Sequence, residues 1–179
     1  MMTGTVIAQI IALATQPVVA RLYSDHQLGL LATFMAVPMI VGTVAALRYD
    51  MAIVLPQEES EASSLLRFSL IASGVAAALL TVVAIIGREG IAGRIGEEGL
   101  SPWVWLIGPM ALLLSWNTIL AFWLNRHADF SGIASKNVVL SGVNAATRIG
   151  LAVGAVASFF SLVLSQALAL IAAFAYMVT

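Results

Sequence analysis

Hydrophobic residues in this chain come in long runs, and the polar ones are gathered into short breaks between them. A bilayer core of about 30 Å takes roughly 20 apolar residues in helical form. Six runs meet that length: residues 1–20, 28–47, 65–86, 103–124, 138–157 and 159–179. Short alternating strands of the outer-membrane barrel type are not seen in the pattern. Backbone groups in lipid must bond within their own segment, so the pattern predicts an all-α membrane protein of six transmembrane helices. The acidic break QEESEASS places Glu58, Glu59 and Glu61 where the positive end of a helix dipole favours them. Ser101-Pro102 predicts an N-cap followed by proline at the first helical position of the fourth run. The join between the fifth and sixth runs, around Ser158, is very short.

Polar residues inside the runs recur at helical spacing. In the first run Thr5, Gln9 and Gln16 fall on one stripe, and in the fifth Asn137, Ser141, Asn144 and Arg148 do the same. Ser69 and Ser73, then Ser115, Asn117 and Thr118, then Ser161, Ser165 and Gln166 give the third, fourth and sixth runs a wet side as well. Serines and threonines at such positions are expected to pack helix on helix through short hydrogen bonds. Gly142, Gly150 and Gly154 are expected to serve packing or flexibility. For Gln9, Gln16, Asn117 and Asn144 packing and ligand contact stay open as alternatives. Pro17, Pro38 and Pro109 each remove a backbone hydrogen bond and can bend the helix that holds them.

Arg148 is the sharpest feature of the pattern. It is the eleventh residue of its run, about 15 Å in at ~1.5 Å per residue, which puts it near a bilayer midplane. An arginine facing lipid there costs at least ~2.5 kcal/mol. None of the six runs contains an acidic residue to pair with it; Asp25, Asp50 and Asp129 all lie in the breaks or at their edges. A structural ion pair is one reading and a water-filled cavity is the other, and the missing partner favours the cavity. A guanidinium is a planar fork of donors suited to phosphate or carboxylate. The candidate substrate-binding residues are therefore Arg148, Asn144, Ser141, Gln9, Gln16 and Asn117, around an anionic group.

Composition agrees with the runs. Of 179 residues 61% are hydrophobic and 9% charged, against about 25% charged in a soluble domain, and the mean hydropathy is +1.01. A net charge of −1 leaves no electrostatic footprint for nucleic acid. The chain has no cysteine, which excludes disulfides and thiolate chemistry. His26 and His127 are lone histidines in breaks, so no metal set can be assembled from them. The glycine-rich break GREGIAGRIGEEG lacks the ending of a phosphate-binding loop. No catalytic constellation emerges, and neither an enzyme nor a cofactor is expected. The N-terminal stretch has no basic region before its apolar run, so it is expected to be a membrane helix and not a signal peptide. Arg48, Arg67, Arg126 and Lys136 flank one set of run ends and Arg21, Arg88 and Arg94 the other, a lean towards a cytoplasmic N-terminus. Trp103, Trp105 and Trp123 sit near the two ends of the fourth run, as interfacial aromatics do.

Three stretches go further than class. QPVVARLYSDHQLGLLATFMA (16–36) resembles the end of helix one and the start of helix two in bacterial polysaccharide flippases. AALRYDMAIVLPQEESEA (45–62), with its arginine–tyrosine–acid triplet and acidic run, resembles that family's segment after helix two. WLNRHADFSGIASKNV (123–138) is similar to its arginine-containing loop between helices four and five. The turn Ser24-Asp25-His26 departs from the family in lacking a proline.

The resemblance implies a MATE-like bundle of two six-helix lobes around a central cavity, in a bacterial cytoplasmic membrane. It implies passage of polyprenyl-pyrophosphate-linked oligosaccharide between leaflets by alternating access, with membrane lipids as surroundings. It also implies a pyrophosphate as the anion for Arg148, although this position matches no motif of the family. Six runs where the family has twelve or more make this chain the N-terminal lobe, with the C-terminal lobe or a second subunit as its expected partner. An antiporter of small organic ions and a non-transporting membrane scaffold are the alternative readings.

Overall fold

The computed structural model describes residues 2–45, 49–88, 90, 93, 98–154 and 157–178. Their regular structure is all helical, with no strand among the described residues: α1 (Met2–Leu22), α2 (Asp25–Val44), a short α3 (Tyr49–Ala52), α4 (Glu59–Ile86), a 3₁₀ helix (Glu98–Leu106), α5 (Ile107–Arg126), α6 (Phe130–Gly154) and α7 (Phe159–Val178). Five stretches, Gly4–Leu22, Asp25–Thr43, Glu59–Ile86, Ser101–Arg126 and Phe159–Val178, are long and apolar enough to cross a membrane. The chain is a multi-pass membrane protein. α6 is long enough, at 25 residues, but is not among the five. Lys136, Asn137, Asn144 and Arg148 dilute its apolar content.

Two compact units make up the chain. The first comprises residues up to Thr33 together with Leu124 onwards, and the second runs from Phe34 to Trp123. In the first, α6 packs against both α1 and α7. α1 approaches closely near its start: a Cβ on Gly4 would lie 2.6 Å from the Cβ of Ala134. In the second, Ile53 and Ile119 are fully buried and are surrounded by Leu65, Leu66, Leu70, Trp116 and Trp123.

α4 shows how the second unit is built. Ala62, Ser69, Ser73, Ala77 and Ala84 follow one another at helical spacing and are all buried. Ser73 returns its hydroxyl proton to the Leu70 carbonyl at 3.0 Å. Phe68, Ile71, Val75, Leu79, Val82 and Ile86 cover the exposed side. Small residues inside and bulky apolar ones outside is the arrangement of a helix solvated by lipid, where small side chains let backbones approach. Ser69 and Ser73 are buried on this small side, but not through the expected interhelical bonds: Ser73 bonds within α4, and Ser69 Oγ has no partner among the described residues.

Helix ends account for most departures from the expected runs. α4 starts at Glu59, not Leu65, because the acidic residues fold into its first turns. Glu58 is its extended N-cap, and Gly87 closes it with a bond to the Val83 carbonyl of 2.8 Å. Ser101-Pro102 does not cap an α-helix: both lie in the 3₁₀ helix, and α5 starts at Ile107. Pro109 consequently falls in the first turn of α5, where no intrahelical partner is lost. Pro17 and Pro38 are interior to α1 and α2. Residue 1 of the expected first run, 46–47 of the second, 155–156 of the fifth and 179 of the sixth lie outside the described residues.

The segment between α5 and α6 is only three residues long. Ala128 N–H reaches the Asn125 carbonyl at 3.1 Å and Asp129 N–H the Leu124 carbonyl at 3.0 Å. Ala128 has φ 53°, so this is a Schellman stop with alanine where glycine is usual. Asp129 then caps α6, accepting from Gly132 N–H at 2.9 Å and from the Ser131 hydroxyl at 2.8 Å. These two bonds, the backbone one foremost, hold its carboxyl below the usual aspartate value. The start of α6 is eight residues earlier than the apolar run that announced it, since a capped polar turn is invisible to hydropathy.

Candidate functional site

The first unit carries a cavity of about 180 Å³ between α1, α6 and α7. Thr15, Gln16, Ser141, Asn144, Arg148 and Gln166 supply its polar lining, with Ala12, Val19, Leu140 and Ala145 as the apolar remainder. A second hollow of about 230 Å³ is lined by Thr5, Gln9, Asn137 and Ser141, and shares Ala12, Leu140 and Ser141 with the first. The two stripes read from the sequence therefore face one another along α1 and α6. Helical spacing is enough to explain it: residues four and seven apart share a face, and α6 packs on α1 through that face.

Five of the six expected site residues line these hollows: Arg148, Asn144, Ser141 and Gln16 the first, Gln9 the second. Asn117 belongs to the other unit, where it is buried and its amide donates to the Leu113 carbonyl of its own helix at 2.9 Å.

Arg148 lies six residues short of the end of α6 at Gly154, about 9 Å at ~1.5 Å per residue. The expected central position belonged to the apolar run and not to the helix, which starts earlier and puts Arg148 in its last third. Its Nη2 donates to Gln166 Oε1 at 3.4 Å, and its Nε is buried with no partner. Asn144 Nδ2 donates to the same Gln166 oxygen at 2.5 Å. Among the described residues no carboxylate lines the cavity. The guanidinium is thus held by one neutral acceptor at the long end of hydrogen-bonding distance, whereas a charged acceptor draws such donors to ~2.7–2.9 Å.

The backbone under Arg148 is fixed from α1. Tyr23 is buried, donates to the Arg148 carbonyl at 3.0 Å and lies 3.2 Å from the Ser161 hydroxyl. The next residues form a reciprocal cap for α2. Gln27 N–H donates to Ser24 Oγ at 3.3 Å, and Ser24 N–H donates to Gln27 Oε1 at 3.1 Å. The Gln27 amide also donates to the Ala157 carbonyl at 3.0 Å, tying this turn to the one before α7. Ser158 and Ser161 cap the start of α7 in the same reciprocal manner.

Gln166 and Tyr23 are the functional positions that sequence patterning does not single out. Gln166 is one of several polar residues on its run, and only the packing of α7 on α6 brings it to Arg148. Tyr23 sits in a break, and its partner is a main-chain atom that no side-chain pattern reveals. Together these residues can bind a small group rich in acceptors: Arg148 and Asn144 offer donors, Ser141 and Thr15 hydroxyls stand beside them, and nothing anionic competes. No protein-family profile, characterised protein or solved structure matches this chain.

Proposed function

We propose that this chain is the N-terminal lobe of a polysaccharide-type flippase, which moves polyprenyl-pyrophosphate-linked oligosaccharide across a bacterial cytoplasmic membrane. The observation that carries the reading is the cavity around Arg148: a guanidinium whose buried Nε has no partner among the described residues, in a lining where those residues supply no carboxylate. Such a site is costly in a membrane protein unless an anionic group visits it. A volume of about 180 Å³ is well below the ~300–1,000 Å³ of pockets that enclose a drug-sized ligand. It suits a charged headgroup whose sugars and isoprenoid tail lie elsewhere, against the C-terminal lobe and in lipid.

The test is Arg148→Ala in the complete carrier, in cells that depend on it for surface polysaccharide. Export should be lost and lipid-linked units should accumulate at the inner leaflet, with the carrier's abundance in the membrane unchanged. Normal export by that variant would sink the reading.

A further inference from the structure

Gln166 is a neutral acceptor in a place where a charge would be expected. Its side-chain oxygen has two lone pairs, and it receives both Asn144 Nδ2 at 2.5 Å and Arg148 Nη2 at 3.4 Å. The Arg148 Nε–H is buried and finds no acceptor among the described residues. A carboxylate in the place of this amide would complete the guanidinium from within the protein. With an amide there, the donors are kept close together but under-satisfied.

We infer that Gln166 is the charge-selecting residue of this cavity, its neutral carbonyl occupying the Arg148–Asn144 donor pair until a single phosphate-type oxyanion displaces it. The inference rests on the anion-site reading above and adds what tunes the site. An oxyanion presents several oxygens at once, so it meets Nε, Nη2 and Asn144 Nδ2 together, which the single Gln166 oxygen does not. The space suffices: a water needs ~10–15 Å³ of cavity, and about 180 Å³ is present. The same phosphate chemistry is offered by a free ion and by a lipid headgroup.

The experiment uses the whole chain in phosphatidylcholine nanodiscs and radiolabelled inorganic phosphate in equilibrium dialysis, with monodispersity on gel filtration as the check of folding. The wild type should bind one phosphate per chain. Gln166→Glu should weaken binding about tenfold or more, through like-charge repulsion and a built-in ion pair. Gln166→Met, of similar length but without an acceptor, should bind as tightly as the wild type or several-fold more tightly. A purely structural glutamine predicts loss in both variants. That result, or a Gln166→Glu chain that binds like the wild type, overturns the inference. Arg148→Ala separates the two levels. If it abolishes binding while both Gln166 variants match the wild type, only the role of Gln166 falls. If the wild type fails to bind, or Arg148→Ala binds like it, the anion site falls as well. Competition by phosphatidic acid placed in the nanodisc marks a headgroup source, and lack of competition marks a free ion.

Discussion

The phenolic hydroxyl of Tyr23 and the main-chain carbonyl of Arg148 are joined by a 3.0 Å hydrogen bond that spans 125 residues of sequence. The end of α1 therefore grips α6 at the very turn that carries the guanidinium. Removing the hydroxyl with Tyr23→Phe keeps the buried ring and deletes the grip. The expected cost is about 1 kcal/mol, the usual net worth of one such bond. Phosphate affinity should fall a few-fold, because the Arg148 turn is no longer held. Thermal unfolding in detergent and the dialysis titration check the two parts. An unchanged midpoint together with unchanged affinity would show that the bond does nothing.

Asp129 makes the start of α6 sensitive to acid. Its folded-state carboxyl lies below the ordinary value of 3.8, chiefly through the Gly132 N–H bond and then the Ser131 hydroxyl. The unfolded chain therefore takes up the proton first as pH drops. The stabilisation is complete above the ordinary value and is lost as pH falls through the folded one. Asp129→Asn keeps an acceptor for Gly132 but cannot titrate. The gap in thermal midpoint between wild type and variant should be constant down to about pH 5 and should close in stronger acid. A gap that stays open throughout the acid range would remove Asp129 from the account.

At Gly108 the backbone of α5 comes close to α4. A Cβ there would collide with the Thr81 hydroxyl and lie 2.6 Å from the Ala77 carbonyl oxygen. That hydroxyl is itself bonded to the same carbonyl at 2.8 Å. Gly108→Ala should destabilise the protein by about 1–3 kcal/mol, as overpacking does. Adding Thr81→Ala should restore only part of that, because the main-chain oxygen cannot move aside as a side chain can. Denaturant unfolding in mixed micelles measures both, and full restoration would contradict the geometry.

Much of the site could be read in advance. The stripe from Asn137 to Arg148 and the stripe through Gln9 and Gln16 are local periodicities, and a helix turns such periodicity into a shared face whatever surrounds it. The partner of Arg148 could not be read, because which side of α7 meets α6 is decided by packing, and Gln166 lies about 100° around that helix from Ser165, off the face that Ser161 and Ser165 share. Hydropathy also misplaced helix starts where polar residues fold into the first turns, as at Glu59 and Phe130. At Ser101-Pro102 the proline signal is the same for a 3₁₀ turn and an α-helical one, so residue type alone does not separate them. Asn117 carries the same amide as Asn144, yet it lies in the other unit and bonds within its own helix.

The inverted face of α4 has a consequence for how this protein tolerates change. Beyond Leu70, which with Leu65 and Leu66 packs on the Ile53 and Ile119 core, the bulkiest side chains of the helix, such as Ile71, Leu79 and Ile86, are exposed, whereas its smallest, Ser73 and Ala77, are buried. Over that stretch size and burial run in opposite directions. Apolar residues of any shape are interchangeable at the large positions, while one added methylene at a small one must be accommodated by a neighbouring backbone. The identity of α4 is written in its least conspicuous residues.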